Sequence, residues 1–128
     1  MNSEDPGTTL AQRIESLRRA TAPEGGRPLS DAEVATAIAD AGGKVNGNTL
    51  YRLRTGMTRN PTMETLMALA RWGGVTPGFF FPGAADDPVR YREIEAALER
   101  PDVRRLALRL ADMAPDKVAA LERLLEAP

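Results

Sequence analysis

Residues 46–61 read NGNTLYRLRTGMTRNP, and their side chains suit hydrogen bonding to nucleic acid. An Asn can address adenine in bidentate fashion, an Arg can do the same with guanine, and a Thr can place its methyl near a thymine. Asn48, Arg52 and Thr49 supply these groups, with Gly47 and Tyr51 beside them. Gly47 lets the backbone approach a groove edge and offer an amide. Asn48 and Thr49 also suit the start of a helix, and Tyr51 suits a cover over the core with its hydroxyl outside. In the following loop Thr55, Thr58, Arg59 and Asn60 can donate to phosphate oxygens, and Lys44 flanks the other side. Such contacts supply affinity without reading sequence. Asn60 before Pro61 also suits an Asx turn.

What is missing narrows the chemistry further. The 128 residues include no cysteine and no histidine. Disulfides, thiolate zinc sites and a thiol nucleophile are excluded, and the commonest general base and metal ligand are gone. We therefore expect neither an enzyme nor a metal or cofactor site. The stretches GGRP and GGKVNGNT lack the spacing of a phosphate-binding loop and have no strand before them. The N-terminus lacks the basic and apolar regions of a signal peptide, and no apolar run reaches membrane length. A cytoplasmic chain without membrane contact is expected.

Net charge is −1, yet residues 44–71 hold Lys44, Arg52, Arg54, Arg59 and Arg71 against Glu64 alone. A basic segment within a neutral chain is what a phosphate-facing surface requires, although a solvated patch has the same composition.

The elements that must carry these groups all have helical spacing. Leu10, Ile14 and Leu17 share one face of a first helix, with Thr9 and Gln12 at capping-box spacing; nothing before Thr8 predicts an ordered element. Ser30 and Glu33 form a second such box ahead of the stripe Val34, Ala37, Ile38 and Ala41, and Gly42 and Gly43 end it. A third helix runs from Gly47 to Arg54, with Asn46 as N-cap, Leu50 and Leu53 inward and Gly56 as terminator. The fourth follows Pro61 and Thr62, with Met63, Leu66, Leu69 and Ala70 inward, and the phenylalanines of VTPGFFFPG plug the core. Residues 84–128 hold three amphipathic helices with Pro-containing caps. Val103, Leu106, Leu110 and Met113 form one seam; Val118, Leu121 and Leu125 form another. These seams must meet the N-terminal unit or a second copy of themselves. No segment alternates with period two, so the expected fold is all-α. It comprises a helix-turn-helix domain of four to five helices over 8–83 and a C-terminal helical element over 84–128.

The run VNGNTLYRLRTG followed by NPTMETLMALA resembles the Cro/repressor-type (xenobiotic-response-element) helix-turn-helix family. SDAEVATAIADAGGKVN, LYRLRTGMTRNP and DVRRLALRLADMAPDKVAALERL extend the likeness to EspR-like nucleoid-associated regulators of actinobacteria, over about nine-tenths of the chain. The resemblance implies a regulator of transcription in the nucleoid that binds double-stranded DNA and bridges or loops separated sites. It also implies a homodimer formed through the C-terminal helices. Asn46, Gly47, Asn48, Thr49, Tyr51 and Arg52 then fall on the reading helix. Arg54 and Arg59 fall on basic positions of the loop region, and Asn46 and Arg54 join the phosphate contacts. Leu106, Leu110, Val118, Leu121 and Leu125 fall in the dimerisation element.

Two features depart from that family. The turn AIADAGGKVN before the third helix is several residues longer than is usual, and Asp31 stands where many members carry a phosphate-binding glutamine. An acid facing phosphate is unfavourable, so that contact is expected to be absent. Asp31 and the neutral net charge favour a second reading, a protein-interaction module on the same fold; the basic loop opposes it.

Overall fold

A computed structural model describes residues 6–126, with side chains from Leu10 onward. Its helices are α1 Pro6–Ala20, α2 Asp31–Asp40, α3 Gly47–Arg54, α4 Met63–Gly73, α5 Pro88–Leu98, α6 Pro101–Ala111 and α7 Pro115–Glu126, with a 3-10 turn at Pro77–Phe80. The described residues contain no strand, as the absence of two-residue alternation requires. Two compact units divide the chain, residues 1–92 and 93–128.

Local capping sets most of the boundaries in the first unit. Ser30 Oγ accepts from the Glu33 N–H at 3.1 Å, and Glu33 Oε1 accepts from the Ser30 N–H at 2.8 Å, a complete capping box for α2. Asn46 Oδ1 accepts from the Thr49 N–H at 2.7 Å to start α3, and Thr62 Oγ1 accepts from the Thr65 N–H at 3.1 Å to start α4. Left-handed Gly74, at φ 72°, ends α4, while the Val75 N–H closes back on Ala70 O at 3.0 Å. In α1 the order differs from expectation. The helix begins at Pro6, so Thr9 lies inside it and not at its cap; the side chain of Thr9 and residues 1–5 lie outside the described residues.

The core of this unit joins Ile14 and Leu17 of α1, Val34 and Ile38 of α2, Leu50 and Leu53 of α3, Leu66 and Leu69 of α4, and Phe79 and Phe80. Three expected inward positions differ. Met63, 61 % exposed, occupies the first position of α4, ahead of the turn that reaches the core. Ala41 is the exposed C-cap of α2. Phe81 is about half exposed, because the 3-10 turn stops at Phe80 and the extended backbone at Phe81 turns its ring away.

Arg13 ties the segment after α4 to α1. The residue is 6 % exposed, and its guanidinium donates to three carbonyls: Phe79 O at 3.0 Å, Ala84 O at 2.7 Å and Ala85 O at 3.2 Å. Carbonyl dipoles replace water around the cation, which a buried charge requires. Tyr91 meets Phe79 edge-on at 5.4 Å, and its hydroxyl and that of Thr76 lie 2.6 Å apart. The start of α5 thus belongs to the core of the first unit.

The second unit is built otherwise. α6 and α7 start on proline, as α1 and α5 do, the position where a missing N–H costs nothing. No side chain of α6 or α7 is buried; Val103, Leu110, Met113 and Val118 are half-buried, and Leu106, Leu121 and Leu125 are exposed.

α4 approaches α1 closely at Gly73. A Cβ on Gly73 would stand 2.5–2.6 Å from three carbons of the fully buried Leu17 side chain. Overpacking of this kind costs about 1–3 kcal/mol, while Ala gains back about 1 kcal/mol in helix propensity. Gly73→Ala should therefore lower the denaturant midpoint, with a net loss of up to about 2 kcal/mol; an unchanged or raised midpoint would show that α1 and α4 do not meet this closely.

Candidate nucleic-acid interface

Eight residues make a helix too short to persist alone in water. α3 is anchored from within by Leu50 and Leu53, both essentially inaccessible to solvent, each contributing about 1.5–3 kcal/mol of burial. With those leucines inward, Asn48, Tyr51 and Arg52 all lie exposed. Their i, i+3, i+4 spacing puts them on one face of the helix. Thr49 is half-buried and its amide is taken by the cap. At Gly47 a Cβ would point at the Asp31–Ala32 backbone, at 3.4–3.5 Å, so this position turns toward α2. Only its backbone amide is left for the close approach expected of it.

The loop after α3 folds back on the helix. Thr55 Oγ1 donates to Tyr51 O at 2.7 Å, and the Thr58 N–H donates to Arg52 O at 3.0 Å. Gly56 makes the reversal with φ 82°, a conformation that costs other residues a steric clash. Thr58 Oγ1 accepts from Arg52 Nε at 3.3 Å. That bond steadies the guanidinium through its inner nitrogen and does not use the two terminal nitrogens, which can together make a bidentate contact. Lys44, Asn46, Arg59 and Asn60 are exposed around this helix and loop, and Thr58 is half-buried.

Arg54 does something the sequence reading did not foresee. Its Nε and Nη2 donate to the two carboxylate oxygens of Asp31 at 3.1 and 2.8 Å. Nη1 lies 3.8 Å from Glu15 Oε1, and the guanidinium sits over the Tyr51 ring at 5.6 Å. One side chain thereby connects α1, α2 and α3 and backs the exposed tyrosine. All three nitrogens face protein carboxylates, so Arg54 holds the helix in place and contributes little to an outward phosphate contact. Asp31 is accounted for by the same pair: its carboxylate sits in the first turn of α2, where the helix dipole favours an anion, and it faces Arg54. Neither residue has a local signal of this role, since they lie 23 positions apart.

Glu15 completes the arrangement. The hydrogen bond from Arg18 holds its carboxyl below the usual range; burial opposes this, and the charges of Arg18, Arg19 and Arg54 reinforce it. Beside it a cleft of about 580 Å³ opens between α1 and the loop, lined by Arg19, Arg54 and Arg59 with Gln12, Ser16 and Thr55 among others. The basic loop residues thus face α1 across this cleft, where the exposed Arg19 is paired with Glu15 at 2.9 Å. Lys44 lies on the other flank, with Arg71, Glu64 and Met67 around a second cleft of about 510 Å³.

In the second unit, Leu106, Leu110, Val118, Leu121 and Leu125 are gathered as a set, joined by Leu124. They line a groove of about 360 Å³ in which, among the described residues, Glu122 is the only polar one.

The Asp31–Arg54 pair is half-buried and bidentate, so removing one partner strands the other, at a cost of about 1–3 kcal/mol. In a double-mutant cycle, Asp31→Ala and Arg54→Ala should couple by about 1 kcal/mol or more in urea unfolding. Additive losses would show that the pair does not hold α2 to α3.

No protein-family model matches the chain, and no curated protein matches it significantly.

Proposed function

We propose that the chain is a dimeric, sequence-preferring DNA-binding regulator of transcription that works in the cytoplasm at the nucleoid. The observation that carries this reading is the shared outward face of Asn48, Tyr51 and Arg52 on a helix anchored from inside and bordered by a basic loop. In this reading α2 and α3 are the helix-turn-helix pair and α3 enters the major groove. Arg52 addresses a guanine through its terminal nitrogens, Asn48 an adenine. Lys44, Thr58, Arg59 and Asn60 meet the phosphates and the amide of Gly47 borders the groove, while the Thr49 amide goes to the Asn46 cap and the Thr55 hydroxyl to Tyr51 O, so that these donors hold the helix ends instead. Arg54 becomes the residue that fixes the reading helix.

The groove of α6 and α7 supports a homodimer. A contiguous apolar surface that its own chain leaves uncovered marks a site of association, and its likeness on every copy makes a self-complementary pairing natural. Two reading helices about one helical turn apart, ~34 Å, would read a palindrome; wider separation would let one dimer bridge two duplexes. The likeness of the sequence to EspR-like regulators supports the bridging mode.

A protein-interaction module is the second reading. The exposed side chains of Met57, Met63 and Met67 favour it, since methionines adapt readily to partner surfaces.

Binding of the full chain to a mixed pool of genomic fragments across a salt series separates the two. Salt-sensitive capture of fragments that share a motif supports the regulator; no capture at low salt moves the basic loop to a protein partner. Arg52→Ala should lose about 1–3 kcal/mol of discrimination at one base pair and leave the others unchanged. A uniform loss over all sequences would assign Arg52 to phosphate instead. Leu121→Asp should halve the mass seen in sedimentation while the helix content of the first unit persists, whereas an unchanged mass would remove the groove from the dimer.

A further inference from the structure

The two faces of α6 are chemically opposite. Val103, Leu106 and Leu110 recur at helical spacing on one side. The other side carries Arg104, Arg105 and Arg109 around Leu108, which is 70 % exposed. Asp102, the one acid of the helix, is taken by Arg100 at 2.7 Å. Among the described residues, no ion pair forms at Arg104, Arg105 or Arg109. Arg104 donates only to the backbone carbonyl of Glu99, at 3.4 Å, although a carboxylate belongs to that same residue.

The rest of the second unit distributes charge differently. The end of α5 and the turn after it are acidic, with Glu93, Glu95 and Glu99, and α7 mixes Asp116, Glu122 and Glu126 with Lys117 and Arg123. Positive charge is thus segregated onto one helix face. Arg105 and Arg109 stand one turn apart, about 6 Å along the axis, where like charges repel; among the described residues neither is ion-paired, although Asp112 follows Arg109 by three positions. The spread of guanidiniums along an open face, with no pocket between them, suits an extended polyanion and not a compact ligand. Guanidinium is also the cation that pairs with phosphate in bidentate geometry.

We infer that the outer face of α6 is a second DNA contact, made through Arg104, Arg105 and Arg109 to the phosphate backbone without reading sequence. The inference rests on the DNA-binding reading above and extends it. The unit that pairs two chains through its apolar face also holds duplex with its opposite face. Because the contact is on the same chain as the reading helix, it acts at high effective concentration and raises affinity for long DNA more than for a single short site. It also supplies a route by which a pair of chains grips a second duplex.

The test compares the full chain with its R104Q/R105Q/R109Q variant, by anisotropy of a labelled mixed-sequence duplex over a salt series. Each lost phosphate contact lowers the slope of log affinity against log salt by about 0.9, so the variant should lose about 2–3 units of slope per chain while keeping the motif preference of the unaltered protein. An equal slope in both proteins overturns the α6 contact and leaves the DNA reading intact. No binding by the unaltered protein overturns both. If the triple exchange lowers helix content in circular dichroism, R105Q alone decides the matter through a slope change of about 0.9 or none.

Discussion

The first unit is organised around the support of a helix that cannot support itself. α3 has eight residues, and two of them, Leu50 and Leu53, carry its attachment to the core. Each end is closed separately, by Asn46 at the start and by the fold-back of Thr55, Gly56 and Thr58 at the finish. Burial fixes how deep α3 sits but does little to fix its rotation, because two leucines can pivot. The bidentate Arg54–Asp31 pair supplies the missing constraint, since a planar fork meets a carboxylate well in one orientation only. The direction of Asn48, Tyr51 and Arg52 follows from that restraint. The neighbouring elements serve the same end: α1 offers Glu15 to the pair, and α4 closes on α1 through the side-chain-free surface of Gly73.

Charge is placed with a similar division of labour. Arginines that hold structure are matched inside the protein: Arg13 by three carbonyls, Arg18 by Glu15 and Leu29 O, Arg54 by Asp31. Other cations, among them Lys44, Arg52 and Arg71, are exposed and, among the described residues, form no ion pair. A chain with net charge −1 can thereby present strongly basic surfaces, because its acids are spent on partners or gathered elsewhere. The second unit separates apolar and basic chemistry on a single helix, which a neutral average over the sequence conceals.

Much of the helical layout was legible because its signals are local. Ser30 with Glu33, Asn46 before Gly47, Thr62 after Pro61 and the glycines that follow α2, α3 and α4 each act within a turn of where they sit. The leucines of α3 were legible for the same reason, since three-residue spacing sets a face. What escaped reading depends on long-range approach. Arg13 meets carbonyls 66 to 72 residues away, and nothing near it distinguishes it from a solvated arginine. Tyr91 reads as part of an amphipathic helix until Phe79 and Thr76 arrive beside it. Arg54 reads as one more cation of a basic loop, and Asp31 as an unwelcome acid, until the two are seen to face one another. Hydrophobic type alone also misled at Met63 and Phe81, where the position within the turn decides exposure.

The most direct test of the central claim is an amide chemical-shift titration of the isotope-labelled full chain with a mixed-sequence duplex at low salt. The account predicts that the largest shifts fall between Lys44 and Asn60, centred on the exposed face of α3, with smaller shifts along α6. Shifts that leave residues 47–52 untouched, or that gather on Met63 and Met67 upon addition of a protein partner alone, would contradict it.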